Sequence, residues 1–282
     1  MRSHFHAFAR RAVVRACELA GREGRGLRVL TYHRVNDAHP RDRLSVRLDA
    51  FAAQMEALAR SGRPVLPLAG AVPALRGTCP LPADAIALTF DDGFQDNFTH
   101  ALPVLERFGF PATFFVVTAV VGSEGTLDRY RGCCQADRML DWEQVRAMRA
   151  RGHAIGGHGR THREMAMLPE ADARAEAQGC ARDIEAETGD RPSLFCYPRG
   201  SESAGVRRMV AEAGFEAACT VRPGANPPGT DLLALRRTEV SADDTIDDFR
   251  SKLEGGFDAW HHVVQGFARW GHPMRPARSG TP

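Results

Sequence analysis

The chain has 282 residues, of which 43% are hydrophobic and 26% charged, a composition typical of a soluble globular protein with a substantial core. Its 37 basic and 35 acidic residues leave a formal net charge of +2, which argues against a nucleic-acid partner. Lys252 is the only lysine, so no motif contains a lysine nucleophile or a glycine-rich loop ending in Lys-Ser/Thr. Schiff-base chemistry and a P-loop nucleotide site are therefore not expected.

The cysteines and the apolar runs indicate where in the cell the protein is expected. There are seven cysteines and no Cys-x-x-Cys pair, which predicts neither a zinc knuckle nor a disulfide framework and favours a reducing, cytoplasmic location. No apolar run approaches the ~18–20 residues that a transmembrane helix needs. Arginines interrupt every apolar run near the N-terminus, so the sequence predicts no secretory signal.

The N-terminal segment, residues 1–27, is predicted to form a basic amphipathic helix. Its apolar residues between Phe5 and Ala20 fall on one face of such a helix, with most of the arginines elsewhere. One interpretation is a helix whose residues 1–22 lie on an anionic membrane surface as a peripheral contact. The alternatives are a helix packed on the following domain or a frayed extension.

From residue 28 onward, strand and helix patterns alternate. Strands are predicted over residues 27–32, 86–90, 112–117, 154–157, 194–197, 217–221 and 235–240. Helices are predicted over residues 48–59, 98–108, 142–151, 169–188 and 203–213. The alternation indicates parallel strand pairing and an α/β fold, either a barrel or an open sheet. We predict a single domain over residues 28–262, followed by a disordered tail over residues 263–282.

The first candidate site motif follows the second of these strands. Asp91 and Asp92 come directly after the apolar strand and precede Gly93. Adjacent side chains of a strand point to opposite faces, so both carboxylates share a site only if the chain turns here, which Gly93 permits. Active sites of α/β folds assemble where strands lead into helices. The alternative is an aspartate that caps the next helix.

Two histidines form the second motif. His158 and His162 follow the strand at residues 154–157, and glycines at 156, 157 and 159 indicate a loop between strand and histidines. Together with one aspartate of the pair, they make a two-histidine, one-carboxylate group with an open fourth position, as in catalytic zinc sites. The other carboxylate is then available as a base. Two histidines four residues apart also occur by chance.

Two further strands end in polar residues. His33 follows the strand at residues 27–32, and a turn containing Pro198 and Arg199 follows Tyr197. A single histidine at a strand end is as often structural as functional.

The motifs resemble those of a known family. Residues 89–93 (TFDDG) and His158-x-x-x-His162 resemble the first two motifs of the polysaccharide deacetylases, known as carbohydrate esterase family 4 or the NodB-homology domain. Residues 32–35 (YHRV) and 195–200 (FCYPRG) resemble the branch that contains the poly-N-acetylglucosamine deacetylases. Residues 139–145 and 235–240 are also similar to that branch. The resemblance covers about residues 28–258.

The resemblance implies a distorted (β/α) barrel of about seven parallel strands and one divalent metal ion, zinc, with cobalt or nickel as alternatives. It makes Asp92, His158 and His162 the metal ligands and Asp91 the general base. His33 corresponds to the acid that protonates the leaving amine, because the branch that the sequence resembles has this histidine early in the chain. The common form of the family has it late, in a Leu-x-His motif that this sequence lacks.

Substrate contacts are also predicted. A backbone N–H in the segment of Tyr197, Pro198 and Arg199 would stabilise the oxyanion, and Trp142 would offer a wall for a sugar ring. The alternative for Trp142 is a core residue at a helix start.

The sequence departs from the family pattern at two positions. Cys196 stands where many members have an arginine that pairs with the base, and either Arg199 or Arg160 could replace that arginine. Gly159 stands where serine or threonine is usual in the histidine motif.

The expected function is that of a metal-dependent hydrolase that removes an N-acetyl group from an amino sugar by means of metal-activated water. The expected partner is an N-acetylated polysaccharide or a lipid-linked glycan. One alternative is a hydrolase of small cyclic imides or amides from the same superfamily. Another is an inactive member that binds glycans.

Overall fold

The computed structural model describes residues 26–123, 127 and 138–258. The predicted N-terminal helix lies outside these residues except for its last two positions, and the predicted tail lies outside them entirely. Within the described part of the chain, no helix is long and apolar enough to span a membrane.

Seven parallel strands form the main sheet. They are β1 (Arg28–Tyr32), β4 (Ile86–Phe90), β5 (Ala112–Val116), β6 (Ala154–Gly157), β7 (Leu194–Cys196), β8 (Ala217–Cys219) and β9 (Thr238–Glu239). Their order is β8-β7-β6-β5-β4-β1-β9. All seven fall within predicted strand segments. A small second sheet pairs β2 (Arg34–Val35) with β3 (Ser45–Val46).

The segment from Leu235 to Glu239 connects the two ends of the main sheet, since it contacts both β1 and β8. Thr238 and Glu239 pair in register with Leu30 and Thr31 of β1. A few residues earlier, Leu235 bridges to β8, and its amide N–H donates to the carbonyl of Ala218 at 2.9 Å. The sheet therefore curls round, as expected of a distorted (β/α) barrel, and the prediction of one α/β domain built on about seven parallel strands is confirmed.

Seven α-helices are described around the sheet. They are α1 (Leu48–Arg60), α2 (Leu68–Leu75), α3 (Leu102–Phe108), α4 (Trp142–Ala150), α5 (Glu170–Thr188), α6 (Ala204–Glu212) and α7 (Ile246–Glu254). The sequence analysis did not predict α2 or α7. A π-helical turn at Asn97–Ala101 precedes α3, and all of it but Asn97 lies in the segment predicted as one helix.

Alternation along the strands separates two apolar layers. Leu30, Leu88 and Phe90 face outward into a core shared with α1, α3, α4 and α7. Val29 and Ala87, at the alternate positions, belong to an interior cluster that also contains residues of α2. The helix α2 therefore packs its apolar face on the interior of the curled sheet, whereas Gly70 and Pro73 are exposed.

Candidate active site

The predicted site residues come together at the carboxyl ends of the strands. His33 follows β1, Asp91 and Asp92 follow β4, and His158 follows β6. The side chain of His162 lies beside that of His158, with ring centroids 4.9 Å apart. All five residues are buried. The parallel sheet brings these strand ends to one edge, as the sequence analysis expected.

Asp92 faces both imidazoles. Its Oδ1 lies 3.3 Å from Nε2 of His158 and 3.3 Å from Nε2 of His162. The aspartate is fully buried. One oxygen and two nitrogens thus converge on a single point, which is the donor set that zinc, cobalt and nickel accept.

A hydrogen bond fixes the tautomer of His158. Its Nδ1 lies 2.8 Å from the carbonyl oxygen of Cys196, and a carbonyl can only accept, so Nδ1 carries the proton. The lone pair of a neutral imidazole is then on Nε2, the atom that faces Asp92. Metal-binding histidines are commonly oriented in this way by a carbonyl or carboxylate on the other nitrogen.

A second group of possible ligands shares His158 and adds Asp91 and Cys196. Both oxygens of Asp91 are already bound by a guanidinium, as described next. Burial raises the pKa of the Cys196 thiol well above its ordinary value, with Arg237 opposing and Asp91 adding to that effect. A neutral thiol and an occupied carboxylate are poor ligands, so Asp92, His158 and His162 are the group that fits a divalent metal.

Arg237 is the arginine that pairs with Asp91. Its Nη1 and Nη2 donate to Oδ1 and Oδ2 of Asp91, each at 2.7 Å, in a bidentate ion pair that is almost completely buried. The same guanidinium donates to the hydroxyls of Thr31 and Thr89 at 2.9 and 3.3 Å. It also donates to Sγ of Cys196 at 3.0 Å, and Sγ in turn donates to Asp91 at 3.5 Å.

The two substitutes suggested by the sequence analysis are therefore wrong. Arg199 pairs with Glu164 at 3.0 Å, and Arg160 pairs with Asp183 at 2.8 Å, both at the surface. Arg237 was overlooked because it directly precedes β9, whereas the other site residues follow strands. The signal was present in residues 235–240, a segment already noted as similar to the family.

The ion pair controls the charge of Asp91. Burial by itself raises the pKa of this carboxyl, but the charge of Arg237 and its hydrogen bonds lower it more. The net pKa lies well below the ordinary value of an aspartate. Asp91 is therefore ionised at neutral pH and can accept a proton.

His33 lies next to Asp91. Its Nε2 is 4.0 Å from Oδ2 of Asp91, and the side chain is 8% exposed. The amide nitrogen of Asn97 donates to the backbone carbonyl of His33 at 2.8 Å, which ties the π-helical turn to the end of β1. Asn97 is fully buried and was not singled out from the sequence. A π-helical turn is often found at a functional site.

The backbone is strained at this edge of the sheet. Of the four described non-glycine residues with positive φ, three belong to the site motifs: Asp92 (74°), His162 (61°) and Arg199 (55°). Such conformations are uncommon for residues other than glycine and cluster at functional sites. Gly93, at φ 79°, supplies the turn expected after the aspartate pair.

The predicted substrate contacts do not all lie where the sequence analysis expected them. The hydroxyl of Tyr197 donates to the carbonyl of Leu233 at 3.0 Å, and its N–H donates to Cys219, so neither group is free for a substrate. The ring is buried among the helices, which corrects its assignment as a substrate contact. Trp142 is half-buried and packs against the main core, and its role as a wall for a sugar ring stays a prediction. The oxyanion role of Pro198 and Arg199 stays a prediction.

Known proteins resemble this chain in sequence and in structure. Residues 79–218 match the family model described as polysaccharide deacetylase. The chain is 25% identical over 215 residues to YxkH of Bacillus subtilis (strain 168), a protein named as a polysaccharide deacetylase, covering 76% of this chain and 71% of that protein. It resembles the solved structure of IcaB from Ammonifex degensii with a TM-score of 0.71 and 27% identity, over 83% of this chain and 97% of IcaB.

A third relative is poly-β-1,6-N-acetyl-D-glucosamine N-deacetylase of Escherichia coli (strain K12). It is 34% identical over 124 residues, which are 43% of this chain but only 18% of that protein. The chain thus corresponds to a small part of this relative. The resemblance to the polysaccharide deacetylases inferred from the motifs is confirmed in sequence and in structure.

Proposed function

We propose that this chain is an N-deacetylase that hydrolyses the N-acetyl group of an amino sugar in a polysaccharide or a lipid-linked glycan. The observation that carries the proposal is that two adjacent buried carboxylates have different partners. Asp92 faces His158 and His162, whereas Asp91 is held by Arg237 and faces His33. The names of the relatives support acetylated amino sugars as the substrate class.

We propose that Asp92, His158 and His162 hold one divalent metal ion, zinc, with cobalt or nickel as alternatives. Bound there, such an ion would polarise the acetyl carbonyl and lower the pKa of a water molecule to ~7. The buried donor atoms and the fixed tautomer of His158 support this assignment.

Asp91 is the proposed general base. Because Arg237 keeps it ionised and binds both of its oxygens, the carboxylate has a fixed orientation and lone pairs left to accept a proton from the attacking water. The thiol of Cys196 adds a third contact to the same carboxylate.

His33 is the proposed general acid. The amine of an amino sugar leaves poorly unless it is protonated as the C–N bond breaks. The imidazole of His33 lies within one water molecule's reach of Asp91, since their nearest side-chain atoms are 4.0 Å apart. A substrate amide lying between the metal ligands and His33 would present its nitrogen to the imidazole.

The two alternatives differ in what they need from these residues. A protein that only binds glycans has no need of an ionised carboxylate held beside a metal site, so the Asp91–Arg237 pair favours an enzyme. A hydrolase of small cyclic imides would use the same groups and differ only in its substrate.

The basic residues 1–22 support a lipid-linked glycan and a peripheral membrane contact. The cytoplasmic location stays a prediction from the cysteine pattern.

The test compares the wild-type chain with His33→Ala on two substrates. We expect wild type to release acetate both from N-acetylglucosamine oligomers and from an activated aryl acetate. His33→Ala should lose about 10²–10⁴-fold on the oligomers and little on the aryl acetate, whose leaving group needs no proton. Acetate release is measured enzymatically at equal zinc loading.

A matched control is His100→Ala, which removes a histidine of the neighbouring π-helical turn whose ring contacts the carbonyl of Val35. It should keep both activities. Equal losses of His33→Ala on both substrates would remove this residue from the acid role. Wild-type chain that hydrolyses a cyclic imide but no acetylated sugar would favour the alternative substrate class.

A further inference from the structure

A buried carboxylate holds the loop between the two histidines. Glu176, on α5, is 6% exposed. Its Oε2 accepts the backbone N–H groups of Arg160 and Thr161 at 2.8 and 2.9 Å, and its Oε1 accepts the hydroxyl of Thr161 at 2.5 Å. Burying a carboxylate is costly unless it is fully hydrogen-bonded, and here three donors of one short loop satisfy it.

Other residues of α5 face the same loop. Asp183 accepts Nε of Arg160 at 2.8 Å, and the hydroxyl of Thr118 at 2.7 Å. A Cβ on Gly179 would lie 2.1 Å from Cδ of Arg160, so only a glycine allows this side chain to cross the helix. Positions 176, 179 and 183 are spaced as one face of a helix. That face is thus occupied by residues 159–161.

Gly159 makes room for the carboxylate. Its φ is +73°, and a Cβ at this position would lie 3.0 Å from Oε2 of Glu176. The loop and the carboxylate are therefore fitted closely to one another. Gly159 directly follows His158, so the contact lies one residue from a proposed metal ligand.

The loop is also where the second histidine is strained. His162 has φ 61°, a left-handed conformation that is uncommon for residues other than glycine. Thr161, the residue before it, is held by Glu176 through both its N–H and its hydroxyl. Without this anchor, residues 160–162 are free to relax, and Nε2 of His162 would move away from its position 3.3 Å from Asp92.

We propose that Glu176 is a positioning residue that sets the geometry of the Asp92, His158 and His162 ligand group through the loop between the histidines. This inference rests on the proposed function, because it concerns the metal site proposed there. Glu176 is not a member of the ligand group itself. It determines how tightly the site binds metal by keeping His162 in its strained conformation.

The test measures the zinc affinity of the full-length, metal-free chain by competition with a chromophoric chelator. Glu176→Ala should weaken zinc binding by about 10–100-fold, the usual effect of removing a group that orients a metal ligand. Glu176→Gln should recover most of the affinity, because its remaining oxygen can accept both N–H groups and its amide can donate to the hydroxyl of Thr161. If Glu176→Ala does not fold, Glu176→Asp tests the same point, since its carboxylate falls one methylene short of the loop.

Two controls on the same helix separate positioning from general stability. Glu185→Ala removes an exposed carboxylate that pairs with Arg191, and it should leave zinc affinity unchanged. Ile184→Ala removes a side chain of the main core, and it should lower the melting temperature of the metal-free chain. Zinc affinity should stay within about twofold, because Glu176 and Asp183, and not Ile184, supply the hydrogen bonds to residues 160 and 161.

The outcomes distinguish this inference from the proposal on which it rests. Wild-type chain that binds no zinc, cobalt or nickel would overturn the metal site itself. Wild-type chain that binds zinc, with Glu176→Ala or Glu176→Asp binding equally well, would overturn the positioning role alone. A loss of affinity in Ile184→Ala as large as that in the Glu176 variants would also contradict it, because the effect would then follow stability.

Discussion

Asp91→Asn is expected to lower acetate release from N-acetylglucosamine oligomers by about 10²–10⁴-fold while the chain keeps its zinc. The reason is that Asp91 is bound by Arg237 and faces His33, whereas the two imidazoles face the neighbouring Asp92. An asparagine retains the size of the side chain but cannot take a proton from water. Zinc content and turnover are measured on the same preparation.

The matched control is the same substitution at the adjacent position. Asp92→Asn should lose zinc affinity together with activity, because Asp92 supplies the oxygen of the proposed ligand group. His158→Ala should behave in the same way. Equal loss of zinc in Asp91→Asn and Asp92→Asn would contradict the division of roles between the two carboxylates.

Arg237→Met is expected to destabilise the chain by about 3–5 kcal/mol, because it leaves the carboxylate of Asp91 charged and buried without its partner. Arg237 and Asp91 are 1% and 4% exposed, so water cannot replace the lost contacts. The free energy of unfolding is measured by urea denaturation of the metal-free chain. Adding Asp91→Asn to this variant should restore part of the loss, since the uncompensated charge is then removed.

An exposed arginine provides the comparison. Arg199→Met breaks the ion pair with Glu164, in which both side chains are nearly half exposed, and it should change stability by no more than about 1 kcal/mol. If Arg237→Met lowers the free energy of unfolding no more than Arg199→Met does, the buried pair does not hold Asp91 in place.

Much of the site could be predicted because of one geometric rule. His33, Asp91 and His158 each follow a strand, and the carboxyl ends of neighbouring parallel strands meet at one edge of a sheet. The rule needs only the order of apolar runs and the residues after them. It also explains why residues far apart in the chain are expected to lie close together.

Arg237 lay outside this rule. It precedes its strand, and its side chain extends past Thr31 and Thr89 before it reaches Asp91. That contact depends on β9 lying beside β1 and on Leu235 bridging to β8. Such long-range closure is a property of the folded sheet. The exposed neighbour Arg236 shows that strand alternation decides which of the two arginines enters the interior.

The same alternation of side chains along a strand places Tyr197 on the outer face of the sheet. Cys196 faces the interior of the curled sheet, whereas Phe195 and Tyr197 face the helices α5 and α6. Side chains of a strand alternate with a period of two, so a tyrosine next to an inward cysteine points outward.

The helix α2 was missed because Gly70 and Pro73 disfavour helix locally, and its stability comes from burial against the sheet interior.

The central claim is that one metal ion held by Asp92, His158 and His162 enables this chain to deacetylate an amino sugar. The most direct measurement is acetate release from N-acetylglucosamine oligomers by the chain after metal removal and again after one equivalent of zinc, cobalt or nickel is restored. We predict no release from the metal-free chain and full recovery on restoration. Release that persists undiminished in the metal-free chain, or that stays absent with metal bound, would contradict the claim.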